Sequence, residues 1–295
     1  MAGEIRVAVI GLDTSHSVEF PRRMQAPDCP EDQKVSGLRT VSCLTFPTPF
    51  QSEEGLAARK KQLEEWGIKV TTSLEEAVEE CDAVMVEIND PAFHLEYFKK
   101  VADLGKPIFL DKPLADTMES GKEISKIVAE KSLRMFSASS LRFIPQLGDA
   151  CRAVPLPQVV HTYGPLGRAP AGSSIVWYGV HAFEMLQRAM GMGAMSVFTA
   201  KDSSGVVCLI EFSGGRVGVA ELRENNRQYG GDLRSEAKAV PFVADMGRAY
   251  SDLLIEIKAF FEGRRVPVSL KETLEIMGML DAAQRSFESG NRETI

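Results

Sequence analysis

Ile5-Arg6-Val7-Ala8-Val9-Ile10, running directly into Gly11-Leu12-Asp13-Thr14-Ser15-His16, is the stretch that decides the fold. A short apolar run that ends on glycine and a polar turn reads as the first strand of a parallel sheet delivering the chain to a helix. The same rhythm continues to about residue 142. Apolar runs at 40–44, 69–71, 83–88, 107–110 and 135–140 predict further strands. Between them, residues 53–66 stop at Gly67, Ser73 caps 74–80, and 93–104 stop at Gly105, which are helix boundary signals. Alternation of this kind predicts an α/β domain, a Rossmann-type doubly wound parallel sheet.

After Arg142 the rhythm changes. Strands are predicted at 159–163, 196–200, 206–212 and 216–224, and helices at 179–190, 245–261 and 270–289. Successive strands joined by Asp202-Ser203-Ser204-Gly205 and Ser213-Gly214-Gly215 favour an α+β domain with a mostly antiparallel open sheet. Residues 164–174 and 225–235 read as loops. The division expected is 1–142 and 143–295, with a C-terminal helix returning to the first domain.

Composition narrows the function classes. Thirty-four basic against 41 acidic residues give a net charge of −7, with the two signs interspersed, so no nucleic-acid partner is expected. No segment approaches the ~20 apolar residues needed to span a bilayer. Cys29, Cys43, Cys81, Cys151 and Cys208 are odd in number and widely spaced, which predicts neither a disulfide frame nor a zinc knuckle and suits a cytoplasmic protein.

Lys106-Pro107-Ile108-Phe109-Leu110-Asp111-Lys112-Pro113 places a lysine at the carboxyl end of a strand, where open α/β sheets bind ligands. Pro113 ends the ladder and restricts the residue before it. An arbitrary lysine there would be a solvated surface group. The Gly11 turn holds only the first glycine of G-x-G-x-x-G, with Asp13 and His16 at the other two positions. Asp13 is expected to cap the following helix. The amides of Thr14 to His16 and the hydroxyls of Thr14 and Ser15 remain available to an anion. No acid follows the second strand; Thr45 and Thr48, with Arg59, Lys60 and Lys61 nearby, leave NAD and NADP both open. Asn89 and His94 follow the fourth strand, and His94 is expected to line the same cleft. In Trp177-Tyr178-Gly179-Val180-His181-Ala182-Phe183-Glu184, His181 is a candidate general base, although a histidine in so apolar a segment is commonly a core residue. Its pair with Glu184 lacks a third ligand, so no metal is expected.

Taken together, Asn89 to His94, Asp111-Lys112-Pro113 in place of Glu-Lys-Pro, Leu141-Arg142-Phe143-Ile144-Pro145, Gly179-Val180-His181 and the closing 285–290 resemble the Gfo/Idh/MocA family of NAD(P)-dependent sugar and polyol oxidoreductases. The resemblance implies hydride transfer with Lys112 and His181 as catalytic residues. Asp111 would orient or pair Lys112. It also implies a small hydroxylated substrate and a homo-oligomer built through the C-terminal sheet. Where many relatives carry an aspartate to orient the histidine, this chain has Trp177, with Tyr178 beside it as a possible proton donor. Two other roles stay open: a non-catalytic metabolite-binding or regulatory protein, and a redox-neutral lyase or hydrolase that oxidises substrate transiently.

Overall fold

The computed structural model describes residues 3–295. The chain divides into two compact units, one made of the residues up to Ala115 with Glu119–Ser137 and Tyr250–Leu270, the other of Asp116–Met118, Ala138–Ala249 and Lys271–Ile295.

The first unit is a parallel sheet of β1 (Ile5–Ile10), β2 (Leu38–Leu44), β3 (Lys69–Thr71), β4 (Ala83–Val86), β5 (Ile108–Leu110) and β6 (Met135–Phe136). Its strand order, β3-β2-β1-β4-β5-β6, is the doubly wound arrangement, with the switch point between β1 and β4. Its helices are α1 (His16–Gln25), α2 (Glu53–Glu65), α3 (Leu74–Val78), α4 (His94–Ala102) and α5 (Met118–Glu130). Val9, Leu12, Val18, Cys43, Leu63 and Ile68 form one buried cluster between sheet and helices, lapped by Leu56, Trp66 and Val70. Each fully buried aliphatic side chain of this kind contributes about 1.5–3 kcal/mol.

Two strands are shorter than their apolar runs. β4 ends at Val86 because the chain closes over the glycine turn: the Glu87 amide donates to Ile10 O at 2.8 Å, and a Cβ on Gly11 (φ +108°) would lie 2.3 Å from Glu87 O. β6 ends at Phe136, and residues 140–143, expected in part as strand, form a 3-10 turn.

The second unit is a sheet of β7 (Val159–Pro165), β8 (Ala194–Asp202), β9 (Gly205–Phe212), β10 (Arg216–Arg223), β11 (Gly230–Arg234), β12 (Ala239–Val243) and β13 (Glu293–Thr294), ordered β12-β11-β7-β10-β9-β8-β13. All its pairs are antiparallel except β7 with β10. The helices α6 (Pro145–Ala153), α7 (Ser174–Trp177), α8 (Val180–Met190) and α10 (Leu270–Ser289) lie in this half of the sequence, and α9 (Ala249–Phe261) precedes α10.

β11 occupies residues read as loop. Its Gly230-Gly231 pair looks like a breaker, yet a Cβ on Gly231 would lie 2.0 Å from His161 O, so glycine is what lets β11 close on β7. The break expected at 142 falls inside the second unit, and Tyr250–Leu270 belongs to the first. The reason is packing: Phe260 of α9 meets Phe136 of β6 edge-on at 4.9 Å, and Ser251 Oγ donates to Gln33 O at 2.8 Å.

Candidate active site

In the first unit the candidate residues gather at the carboxyl end of the sheet. Asp111 and Lys112 follow β5, whose last turn is fixed by the Asp111 amide donating to Val86 O at 2.9 Å. The Lys112–Pro113 peptide is cis. Lys112 is only 6% exposed, yet its ammonium forms no hydrogen bond or ion pair within 4.0 Å among the described residues. Asp111 does not pair with it as expected. Its Oδ2 lies 2.8 Å from His16 Nδ1 instead. Burial alone would raise the Asp111 carboxyl, but the charges of His16 and Lys112 and the hydrogen bond from His16 outweigh it and hold the group below the usual carboxylate range. Glu87, also buried, goes the other way: desolvation, reinforced by the charge of Asp111, raises it well above the ordinary value against the pull of Lys112.

The turn itself is rebuilt at the two missing glycines. Asp13 does not cap α1; the N-cap is Ser15, with no side-chain bond. Thr48 Oγ1 donates to Asp13 Oδ2 at 2.7 Å and the Asn89 amide to Oδ1 at 2.8 Å, so this carboxylate ties the loops after β2 and β4 to the turn. Arg59 of α2 donates to Leu12 O at 2.9 Å and braces the turn from outside. None of these bonds uses an amide of Thr14, Ser15, His16 or Ser17. The amides of Thr14, Ser15 and Ser17 have no partner among the described residues, and that of His16 meets only Thr14 Oγ1 at 3.3 Å. A pyrophosphate therefore fits these residues at the start of α1, with Asp13 and His16 both turned inward onto protein partners.

Thr45 lies just past β2, its amide donating to Thr71 O at 2.9 Å. Beside it is a group that sequence reasoning missed: Phe46 stacks on Tyr97 at 4.2 Å and 7°, with Phe93 at 6.2 Å from Phe46. His94 requires correction. It is 0% exposed, its Nε2 donates to Ile88 O at 2.8 Å and its Nδ1 lies 3.3 Å from Leu114 O, so it staples two loops and does not line a cleft.

In the second unit, His181 stands in the first turn of α8. Its Nδ1 lies 2.7 Å from Ser139 Oγ, and the rings of Tyr178 and Tyr229 meet it edge-on at 5.6 and 5.4 Å. Ser139 and Tyr229 were not foreseen; they hold the ring where Trp177 supplies no carboxylate. Glu184 does not turn to His181. Its Oε1 accepts the Ser139 amide at 3.1 Å and its Oε2 faces Arg142 Nη1 at 3.3 Å, while Arg142 reaches on to Glu272 at 2.9 Å. Burial raises Glu184 to about 7 in spite of Arg142 and the Ser139 amide.

These two clusters suit different tasks. Lys112 offers three donors to an oxygen, and His181, oriented through one nitrogen, is suited to moving a proton.

The sequence model of the oxidoreductase family with an NAD-binding Rossmann fold, Gfo/Idh/MocA, matches residues 5–139. The scyllo-inositol 2-dehydrogenase (NAD(+)) of Bacillus subtilis (strain 168) is 26% identical over 260 residues, covering 80% of this chain and 72% of that protein. Among solved structures, myo-inositol dehydrogenase from Lactobacillus casei, in complex with NAD(H) and myo-inositol, superposes with a TM-score of 0.80 at 15% identity, covering 99% of this chain and 97% of that one. GenD2 from gentamicin A biosynthesis, in complex with NAD, gives 0.78 at 16% identity, covering 100% and 97%. Residues 5–139 thus match the Gfo/Idh/MocA oxidoreductase family model, and the whole chain shares the fold of these solved dehydrogenase structures.

Proposed function

We propose that this protein is an NAD-dependent oxidoreductase that removes hydride from a secondary alcohol of a polyol, with cyclic polyols of the inositol kind the first class to test. The observation that carries it is Lys112, an unpaired ammonium held at the carboxyl end of β5 next to the turn that begins α1. NAD, when bound, supplies the hydride acceptor. The free amides of Thr14, Ser15 and Ser17 are suited to its pyrophosphate, and Phe46 with Tyr97 offers aromatic surface to its adenine. Lys112 donates to the substrate hydroxyl oxygen and favours alkoxide character as the C–H bond breaks. His181, held by Ser139, takes the hydroxyl proton and returns it in the reverse direction. Tyr178 positions the imidazole by ring contact. Asp111 acts through His16 at the base of the turn.

The test is calorimetric titration with NAD+ and NADP+, followed by a panel of polyols with absorbance at the reduced-nicotinamide band. Saturable NAD+ binding and polyol-dependent reduction are the expected result; absence of cofactor binding overturns the proposal. Lys112→Ala and His181→Ala then distinguish enzyme from binding protein: loss of turnover with retained NAD+ binding marks the enzyme.

The oligomer implied by the family resemblance is proposed through the open face of the second sheet, where Met195 and Phe198 of β8 are 50% and 36% exposed. Sedimentation of a Phe198→Glu variant tests it: a shift to monomer is expected. A cytoplasmic location is proposed from the five free cysteines. No helix among the described residues is long and apolar enough to cross a membrane.

A further inference from the structure

We propose that His16, Glu87 and Asp111 form a binding site for one divalent first-row transition-metal ion. The three residues come from the start of α1, the segment after β4 and the segment after β5, so all belong to the first unit. One ligand atom from each lies within 4.8 Å of the other two, and all three side chains are buried. His16 Nδ1 is 2.8 Å from Asp111 Oδ2 and 3.8 Å from Glu87 Oε2. Donors around a four-coordinate ion with bonds of about 2.0–2.2 Å stand roughly 3.3–3.6 Å apart, so the present separations bracket what an ion needs.

The second observation is the state of the carboxylates. Glu87 is 0% exposed and neither of its oxygens has a hydrogen-bond partner, and Asp111 Oδ1 has none. Such groups are costly in a protein interior unless something compensates them. The charge of Lys112 acts on both carboxyls from a distance, but it makes no ion pair within 4.0 Å and so gives these oxygens no partner. A divalent cation does: neutral imidazole with two carboxylates carries −2, and the ion cancels it. One nitrogen and two oxygens suit zinc, manganese or cobalt better than calcium, which takes six to eight oxygens.

A second histidine with two acids shows what a purely structural group looks like. His161 faces Glu221 through Nε2 at 3.2 Å and Asp232 through Nδ1 at 3.5 Å, so its acids sit on opposite ring nitrogens and do not converge. Glu221 is bound by Arg223 at 2.8 Å and Asp232 by Arg234 at 3.1 Å. Neither arginine has a counterpart at Glu87.

An ion at this site takes the place of the hydrogen bond between His16 Nδ1 and Asp111. The other groups facing the cluster are Lys112, whose charge opposes a cation, and Tyr250, whose ring meets His16 edge-on at 5.0 Å. This site does not depend on the dehydrogenase reading, and its test is not an activity.

Tag-free full-length protein is dialysed against chelator and titrated with Co2+. One equivalent with visible d–d absorption, displaced by Zn2+, is expected. Glu87→Gln and His16→Gln should each weaken binding at least about 100-fold, while His161→Gln leaves it unchanged. X-ray absorption of the zinc-loaded wild type, which needs no variant to fold, should show an N/O shell with scattering from one imidazole. Absence of a bound equivalent, wild-type affinity in Glu87→Gln, or a shell without imidazole overturns the site.

Discussion

Glu184 gives a prediction whose size follows from the structure. Its carboxyl is 2% exposed and burial holds it at about 7, against 4.5 for a free glutamate. Between those two values the folded chain keeps a proton that the unfolded chain releases. The unfolded state therefore binds fewer protons, and stability falls as pH rises. The contribution is fully present below about 4.5 and is lost by the time pH passes about 7. Between pH 5 and pH 8 the linkage amounts to about 2–3 kcal/mol. Glu184→Gln abolishes this titration and adds a roughly pH-independent loss of about 1–3 kcal/mol, because an amide cannot satisfy Ser139 N–H and Arg142 as a carboxyl does. Trp177 lies in the same unit and Trp66 in the other, so urea unfolding in a Trp66→Phe background, followed by fluorescence, reports the relevant unit. The stability difference between parent and Glu184→Gln should grow by about 2–3 kcal/mol on going from pH 8 to pH 5. A flat difference, or one that grows toward high pH, would mean that Arg142 keeps Glu184 ionised and would refute the reasoning.

Three further outcomes are expected. Ser139→Ala removes the hydroxyl at His181 Nδ1, and loss of one oriented hydrogen bond should lower kcat about tenfold and move the acid limb of the pH profile, with KM little changed. Asp13→Ala breaks two charge-assisted bonds that tie three loops together; the urea midpoint should fall by an amount equivalent to about 2–4 kcal/mol, and NAD+ affinity should fall with it. His94→Phe leaves Ile88 O without its donor, which should cost about 1–3 kcal/mol of stability while NAD+ affinity stays at the parent value; reduced affinity at parent stability would return His94 to the cofactor cleft.

The parallel sheet was legible because most of its strands are apolar runs bounded by turn or helix-start residues, and Lys112 because Pro113 ends its strand. What stayed hidden depends on pairs far apart in sequence. His16 meets Asp111 across 95 positions and Ser139 meets His181 across 42, and no local pattern encodes either contact. His94 was misplaced for a related reason: the first turn of a helix at the ligand edge of a sheet looks accessible until the carbonyls of Ile88 and Leu114 close over it. Asp13 read as a cap because its spacing from α1 allows one. The donors it found instead, the Thr48 hydroxyl and the Asn89 amide, lie on two other loops. β11 failed because Gly230-Gly231 breaks a strand on local propensity, whereas the close approach of His161 O makes glycine the residue that fits there.

The central claim is that hydride leaves a polyol carbon under the influence of Lys112. Wild-type protein and Lys112→Ala are each incubated with NAD+ and a panel of polyols deuterated on carbon, inositols included, and the recovered nicotinamide is examined by mass spectrometry. A single deuterium in the reduced nicotinamide from the wild type, absent from Lys112→Ala although that variant still binds NAD+, is the predicted result. Bound NAD+ that acquires no deuterium from any polyol, or equal transfer by the two proteins, would contradict it.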